Sequence, residues 1–210
     1  MIKDNITAIR KELPKSVIIL AATKKRTVSE VNEAISYGID TIGENYVQEA
    51  KEKFKALKGR VKIHCIGHLQ TNKVKDAVLI FDLIETVDSL KIAREIDKRS
   101  SKVMPILIEV NSGKEENKGG CMPEDVLELV KDVSKLKNLK VKGLMTMAPN
   151  VKDVRPYFKL TKDLFDKIKN LKIPNVDMEI LSMGMSDSYK VAAQEGANLV
   201  RIGTGIFGSR

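Results

Sequence analysis

Two stretches near the C-terminus decide the fold: Leu181-Ser-Met-Gly-Met-Ser-Asp187 and Leu199-Val-Arg-Ile-Gly-Thr-Gly-Ile-Phe-Gly208. Each is a short apolar run that ends in small residues with backbone N–H groups to spare. Ser186 is placed to cap a following helix, and Gly203-Thr-Gly205 is expected to open one last helical turn. N–H groups at a helix start can bind an anion without a cationic side chain. If these runs are the last two strands of an eightfold α/β barrel, this is where such barrels hold a phosphate.

The rest of the chain alternates between apolar runs and amphipathic helical patterns. A first helix is expected to end near Leu13-Pro14, and a capping box of Thr27 and Glu30 opens the next one. The runs of strand length cover residues 17–22, 41–43, 61–66, 83–87, 104–110, 141–147, 178–182 and 199–202. We therefore predict a single domain over residues 1–210, a (β/α)8 TIM barrel with an extra N-terminal helix. A doubly wound open sheet is the alternative, because alternation does not show closure.

The composition is typical of a soluble globular protein, since 42% of the 210 residues are apolar and 31% are charged. The longest purely apolar run, residues 17–22, is too short to cross a bilayer, and the N-terminus lacks the features of a signal peptide. Cys65 and Cys121 match no metal or redox spacing. We therefore expect a cytoplasmic protein without a membrane partner.

Charge and histidine content argue against two common functions. The net charge of +9 is spread along the chain among acidic residues, as on solvated helix faces, and no Trp is available to stack on bases. His64 lies in a predicted strand and His68 beyond it, with no evident third ligand. We therefore expect neither nucleic-acid nor metal binding, and a mild preference for small anionic ligands.

A cluster of cations, Thr23-Lys-Lys-Arg26, stands where the first predicted strand ends, on the functional rim of a barrel. A lysine beside further cations is suited to act as a nucleophilic amine, which an aldehyde requires to form a Schiff base. The alternative is a solvated surface loop. Strands 1 and 8 are neighbours in a closed barrel, so an amine and an anion site would converge there. Lys114 and Lys118, in a long rim loop, either face incoming anions or are only solvated.

Three further features of the sequence bear on the site. Arg201 is a buried cation inside strand 8, either paired with Glu109 or Glu179 or facing the ring nitrogen of a ligand. Asn45 follows the second strand on the rim, where it is either a site residue or a helix N-cap. The glycines of 203–208 match a dinucleotide fingerprint formally, but neither a long helix nor an acidic residue follows them. Close approach of the backbone to a phosphate explains these glycines better.

Five motifs resemble, in order, those of the pyridoxal phosphate homeostasis proteins, which are single barrels similar to the N-terminal domain of alanine racemase. They are Ala22-Thr-Lys24, Gly43-Glu-Asn-Tyr-Val-Gln-Glu49, Ile66-Gly-His-Leu-Gln-Thr-Asn-Lys73, Leu181-Ser-Met-Gly-Met-Ser-Asp187 and Val200-Arg-Ile-Gly-Thr-Gly-Ile-Phe-Gly208. The resemblance covers nearly the whole chain. It implies a fold-type III barrel that binds pyridoxal 5′-phosphate and acts in vitamin B6, amino-acid and keto-acid homeostasis.

The resemblance also implies which residue is bound covalently. Lys24 would form the internal aldimine, the lysine Schiff base, with pyridoxal 5′-phosphate. Lys25 is the nearest competitor, but the register of the motif favours Lys24. The family often has a second basic residue two positions after the aldimine lysine. Here that residue is Arg26, which cannot form a Schiff base.

The other residues carried over by the resemblance surround the cofactor. Ser186, with Gly203 and Thr204, would hold the phosphate. Arg201 would face the pyridine nitrogen, and Asn45 would lie beside the ring. An arginine at that nitrogen disfavours its protonation, so the cofactor becomes a poorer electron sink.

The resemblance and the length together imply weak catalysis. Racemases of this fold type add a β-domain that supplies a catalytic tyrosine across a dimer, and we expect no such domain in these 210 residues. We therefore expect a monomer with an open site that carries the cofactor, with pyridoxal phosphate-dependent apoenzymes as recipients. The alternatives are a racemase-like enzyme with the same cofactor, and a barrel that binds another phosphorylated metabolite, with Lys24 as a simple charge.

Overall fold

Eight parallel strands form one closed barrel in a computed structural model that describes residues 1–209. The strands are β1 (Ile18–Ala22), β2 (Thr41–Glu44), β3 (Lys62–Cys65), β4 (Leu83–Val87), β5 (Met104–Val110), β6 (Leu139–Thr146), β7 (Val176–Ser182) and β8 (Leu199–Ile202). The helices are α1 (Ile2–Glu12), α2 (Val28–Ser36), α3 (Val47–Leu57), α4 (Val74–Ile80), α5 (Leu90–Arg99), α6 (Val126–Val133), α7 (Arg155–Asn170), α8 (Tyr189–Gln194) and α9 (Thr204–Phe207). A single 3-10 turn, Thr71–Lys73, precedes α4.

The barrel closes by parallel pairing of β1 with β8. In this pairing Leu20 lies opposite Arg201, and Ala21 lies opposite Ile202. The remaining strands pair in chain order from β1 to β8. The predicted (β/α)8 fold is therefore confirmed, together with the extra N-terminal helix, and the open sheet is excluded.

Side chains of the strands alternate between the barrel interior and the layer of helices. In β1, Ile19 and Ala21 pack in the large core beneath the helices. Leu20, between them, packs in the interior against Ile66 and Leu199. Parallel strands that are buried on both faces read as continuous apolar runs, which is why these strands were predictable.

Two strands begin earlier than the sequence predicts. The predicted ranges 141–147 and 178–182 become β6 and β7, which begin two residues earlier at Leu139 and Val176. Charged residues at and next to these added positions pair across the two strands. Lys140 Nζ lies 3.1 Å from Asp177 Oδ2, and Lys142 Nζ lies 3.0 Å from Glu179 Oε2. In the sequence, these charged residues suggest a loop. In the structure, ion pairs between β6 and β7 stabilise a longer stretch of paired strands.

Outside the barrel, the predicted caps and the first helix take their expected places. The capping box of Thr27 and Glu30 opens α2, as predicted. Helix α1 packs against α9, and the Asn5 side-chain amide donates a hydrogen bond to the Ile206 carbonyl at 2.8 Å. Over residues 1–209, no helix has both the length and the apolar character needed to span a membrane.

Gly143 marks an irregular point in the middle of β6. The register of β6 shifts at this point against both of its neighbours. Gly143 has a φ of +150°, and an added Cβ would overlap the carbonyl oxygen of Ile180 in β7. A glycine at a strand irregularity commonly permits such a close approach of two backbones.

We predict that Gly143→Ala lowers the free energy of unfolding by about 3 kcal/mol or more, because backbone atoms cannot move aside as a flexible side chain can. Gly59→Ala is the control, since Gly59 also has a positive φ, +77°, but has open space around it. That variant is expected to lose about 1 kcal/mol, from backbone strain alone. Urea denaturation measures both values, and equal losses would contradict the steric explanation.

Candidate functional site

A group of hydroxyl and amide donors lies at the carboxyl end of β8. Gly203 is the N-cap of α9, as the sequence predicts. The Gly205 N–H and the Thr204 hydroxyl both donate to Ser186 Oγ, at 3.0 and 3.1 Å. The loops after β7 and β8 are thus joined, and their small polar groups face one place. Donors of this kind suit a phosphate.

The predicted helix-capping role of Ser186 is wrong. Helix α8 begins at Tyr189, and its N-cap is Ser188. The Met185 N–H donates to the Ser188 hydroxyl at 3.1 Å, so Ser188 organises the turn before the helix. Ser186 is thereby left to contact the β8 loop, because α8 starts later than the apolar pattern suggests.

Lys24 leaves the barrel two residues after the end of β1. Ala22 pairs with Gly43, and a Cβ added to Gly203 would lie 3.6 Å from the Ala22 Cβ, so the end of β1 adjoins the β8 loop. Lys24 itself lies in the turn that follows the strand and is half-buried. Its Nζ lies 5.1 Å from the centre of the Tyr46 ring, within cation–π range.

Lys25, the competitor for the covalent role, has a different environment. It is exposed, whereas Lys24 is half-buried, and its backbone is left-handed with a φ of +58°. Its N–H donates to Glu49 Oε2 at 2.8 Å, on the helical side of the strand. Lys24 is therefore the less exposed of the two lysines.

Asn45 lies on the rim but does not cap a helix. The N-cap of α3 is Tyr46, one residue later. Asn45 is half-buried, and its backbone presses against Gly67 so closely that a Cβ there would overlap the Asn45 carbonyl. The packing fixes the position of Asn45 between the loops after β2 and β3.

Arg201 is buried in the barrel interior and well supplied with acceptors. Its Nη1 donates to Ser182 Oγ at 2.6 Å, and its Nη2 donates to the Thr146 carbonyl at 2.8 Å. Its nearest carboxylate is Glu85, whose Oε2 lies 3.9 Å from Nη1. The predicted ion pair with Glu179 is wrong, because Glu179 lies outside the barrel. Glu109 interacts with Arg201 only through its charge.

Sequence reasoning missed the residues that support Arg201. Glu85 Oε2 accepts the Ser182 hydroxyl at 2.6 Å, and its Oε1 lies 2.8 Å from His64 Nδ1. Burial favours the neutral acid, but the bond to His64 and the charge of Arg201 prevail and lower the pKa of Glu85. The alternation of the strand could have indicated this. Side chains of β4 alternate between the helix layer and the interior, and Glu85 is one position away from the residues that face the helices, so its side chain enters the interior.

Glu109 is a second acidic residue of the interior. Burial raises its pKa to about 7, and the charges of Asp88 and Glu85 add to this rise, whereas Arg201 opposes it. Glu109 lies at the mouth of the barrel, near the loop that contains Gly119. The polar interior therefore carries a carboxyl group that exchanges a proton near neutral pH.

A cavity of about 350 Å³ adjoins Arg201 and is lined in part by Thr146, Gly184 and Met185. Its lining does not include Lys24, Asn45, Ser186 or Thr204, so this cavity brings together only part of the predicted site. Gly205 belongs to the donor group, and a Cβ there would lie 2.9 Å from Ile202 Cγ2, so a larger residue would press on the end of β8. The side chains at the carboxyl end of the strands nevertheless have the chemistry that pyridoxal 5′-phosphate requires: the amine of Lys24, the hydroxyls of Ser186 and Thr204, and the buried Arg201.

Known proteins of similar sequence and fold define the class to which the chain belongs. The family model described as "Alanine racemase, N-terminal domain" matches residues 1–210. Alanine racemase from Clostridium difficile 630 has the same fold, with a TM-score of 0.82 at 17% identity over 100% of this chain and 56% of that chain. The fold and the site therefore define a barrel of the alanine racemase N-terminal type.

Curated relatives and a solved structure specify the family. The pyridoxal phosphate homeostasis protein of Aquifex aeolicus is 45% identical over 91% of this chain and 86% of its own length. The protein of that name from Schizosaccharomyces pombe is 39% identical over 93% and 85%. PipY of Synechococcus elongatus, solved with pyridoxal phosphate bound, is 30% identical over 99% and 100%, with a TM-score of 0.90. The chain belongs to the pyridoxal phosphate homeostasis protein family, which confirms the predicted resemblance.

We predict that Glu109 makes the protein less stable as the pH rises from about 4.5 to about 7. In this window the unfolded carboxyl is ionised while the folded one keeps its proton, so the folded state binds more protons. Glu109→Gln should remove this dependence and become more stable relative to the wild type by roughly 2–4 kcal/mol above pH 7. Denaturation at pH 5 and pH 8 measures the difference, with exposed Glu52→Gln as control. Parallel pH curves for all three proteins would contradict the prediction.

Proposed function

We propose that this protein binds pyridoxal 5′-phosphate, holds it through an imine bond to Lys24 and acts in vitamin B6 and amino-acid homeostasis. One observation carries the proposal: pairing of β1 with β8 sets the end of β1, two residues before Lys24, against the β8 loop, whose Thr204 and Gly205 donate to Ser186. The names of the relatives and the PipY complex with pyridoxal phosphate support the choice of ligand.

In the covalent step, the Lys24 amine adds to the aldehyde carbon, and the carbonyl oxygen leaves as water. The Ser186 hydroxyl donates to the phosphate, and the Thr204 hydroxyl turns from Ser186 Oγ to the phosphate when the ligand binds, with the Gly205 amide beside them. Asn45 borders the ring from the loop after β2. The half-buried position of Lys24 limits its motion while leaving it open to a ligand from solvent.

The same residues support weak catalysis. When bound, the cofactor supplies an electron sink for carbanions, and its strength depends on protonation of the ring nitrogen. Arg201 cannot give up a proton to that nitrogen, because a guanidinium stays charged at all ordinary pH values. Ser182, Thr146 and Glu85 hold Arg201 in place, so it does not move aside. We therefore propose a carrier of the cofactor rather than an enzyme with strong activity.

We further propose that the chain works as one domain over residues 1–210, as a monomer in the cytoplasm, with pyridoxal phosphate-dependent apoenzymes as recipients. Cys65 and Cys121 are both free thiols, which suits a reducing compartment. Burial raises the pKa of Cys65 to about 12, so this thiol does not compete with Lys24 for an aldehyde at neutral pH. Sedimentation of the loaded protein, alone and mixed with an apoenzyme, tests the assembly.

We predict that Lys24→Met abolishes the absorbance of the imine formed with added pyridoxal 5′-phosphate, because it removes the only atom that forms the bond. Lys25→Met is the matched control and should keep the absorbance. Borohydride reduction followed by peptide mass mapping should locate the adduct on Lys24. An adduct that persists in Lys24→Met would refute the assignment. A wild-type protein that takes up no pyridoxal phosphate would favour a different phosphorylated ligand.

We predict that Ser186→Ala weakens the binding of both pyridoxal 5′-phosphate and pyridoxine 5′-phosphate by roughly tenfold or more, the worth of one hydrogen bond to a charged group. Ser188→Ala, which alters the turn before α8 and not the donor group, is the control. Equilibrium titration followed by protein fluorescence measures each affinity. Equal losses in the two variants would assign the effect to the loop and not to the phosphate.

A further inference from the structure

The backbone that carries Lys24 is strained. Lys25, its neighbour, has a φ of +58°, in the left-handed region that residues with a Cβ rarely adopt. Such a conformation persists only where the surroundings hold it, and it is commonly found at functional sites. The contacts that hold this turn are therefore informative about Lys24.

A buried lysine holds the turn from its N-terminal side. Lys53 of α3 is 7% exposed, and its Nζ donates to the Thr23 carbonyl and to Glu44 Oε1, each at 2.6 Å. Glu44 Oε1 also accepts the Thr23 hydroxyl at 2.5 Å, and the Thr23 N–H donates to the Gly43 carbonyl at 2.9 Å. Every polar group of Thr23, the residue before Lys24, is thus bonded.

A second carboxylate holds the turn from its C-terminal side. Glu49 Oε2 accepts the Lys25 N–H at 2.8 Å and lies 3.9 Å from Lys53 Nζ. Arg26 then donates from Nη2 to the Gly208 carbonyl at 2.6 Å, which ties the turn to the chain after β8. Lys24 is therefore flanked on both sides by residues whose backbone is fixed by side chains of β2 and α3.

Stability alone does not explain this arrangement. Burying a lysine and a glutamate costs desolvation, and well-packed apolar residues of similar size commonly stabilise a protein as well or better. Burial raises the pKa of Glu44 despite the bonds from Lys53 and Thr23. Its Oε2 is also buried without a hydrogen-bond partner in the described part of the chain. The desolvated pair of Lys53 and Glu44 lies directly behind Lys24, which indicates a role for the pair other than stability.

We infer that Lys53, Glu44 and Glu49 are positioning residues that fix the strained turn of Thr23–Lys25 and aim the Lys24 amine at the ligand aldehyde. The inference rests on the proposed function of Lys24. None of the three residues forms a hydrogen bond with the donors Ser186 and Thr204 in the described part of the chain. They should therefore affect the rate of imine formation and not the affinity for the phosphate group.

Two ligands separate these effects. Pyridoxal 5′-phosphate reports both phosphate binding and imine formation, whereas pyridoxine 5′-phosphate has an alcohol in place of the aldehyde and reports phosphate binding alone. In Lys53→Met and Glu49→Ala, we expect the rate of imine formation to fall roughly 10- to 100-fold, as a small misplacement of a reacting group allows. The affinity for pyridoxine 5′-phosphate should stay at the wild-type value. Stopped-flow absorbance measures the rate, and titration measures the affinity.

Lys55→Met and Glu52→Ala are the matched controls, because they make the same charge changes at exposed positions of α3. Both should behave as the wild type. Glu49 is partly exposed, with 26% of its side chain accessible, so Glu49→Ala decides the matter if Lys53→Met does not fold. Wild-type rates in the Glu49 variant, or equal losses for the two ligands, would overturn the inference. A wild-type protein that forms no imine would instead refute the proposed function, and the inference with it.

Discussion

The pairing of β1 with β8 is the constraint on which the rest of the molecule depends. In an open sheet with the same strand order, β1 and β8 would lie at opposite edges, far from each other. Closure places Ala22 against Gly203, and so joins the first rim loop to the last. Ala22, which ends the strand before Lys24, and Gly203, which opens the donor turn, are separated by over 150 positions in the chain, yet they adjoin in space for this reason.

The second constraint is electrostatic, because a charged arginine inside a barrel needs fixed acceptors. Arg201 obtains them from a hydroxyl, a backbone carbonyl and a nearby carboxylate, and His64 completes the set through Glu85. The interior thus has two layers. Apolar side chains fill the lower part, and a bonded polar network lies under the mouth. A ligand that enters the mouth meets groups that are already oriented, and this lowers the free energy spent on ordering the site.

The sequence predicted the order of strands and helices because parallel strands buried on both faces leave continuous apolar runs. It also predicted the rim position of Lys24, since a strand end can be located to within a residue or two. It did not predict the polar partners. Glu85 and Lys53 look like ordinary charges of a strand and a helix, and only the three-dimensional packing shows that both are buried. The capping role predicted for Ser186 was wrong for a related reason. Ser186 and Ser188 both lie near the start of α8 in the sequence, and only the structure shows that Ser188 is the N-cap.

A ring of strands without a beginning or an end has no exposed row of unpaired N–H and C=O groups. Many proteins recruit a partner by adding one of its strands to such an edge. This protein offers none within its barrel, where all eight strands have two neighbours. Any macromolecule that meets it must therefore recognise loops and helix surfaces. These are the parts of a barrel whose sequence can change without disturbing the strands, so affinity for a partner and stability of the fold can evolve separately.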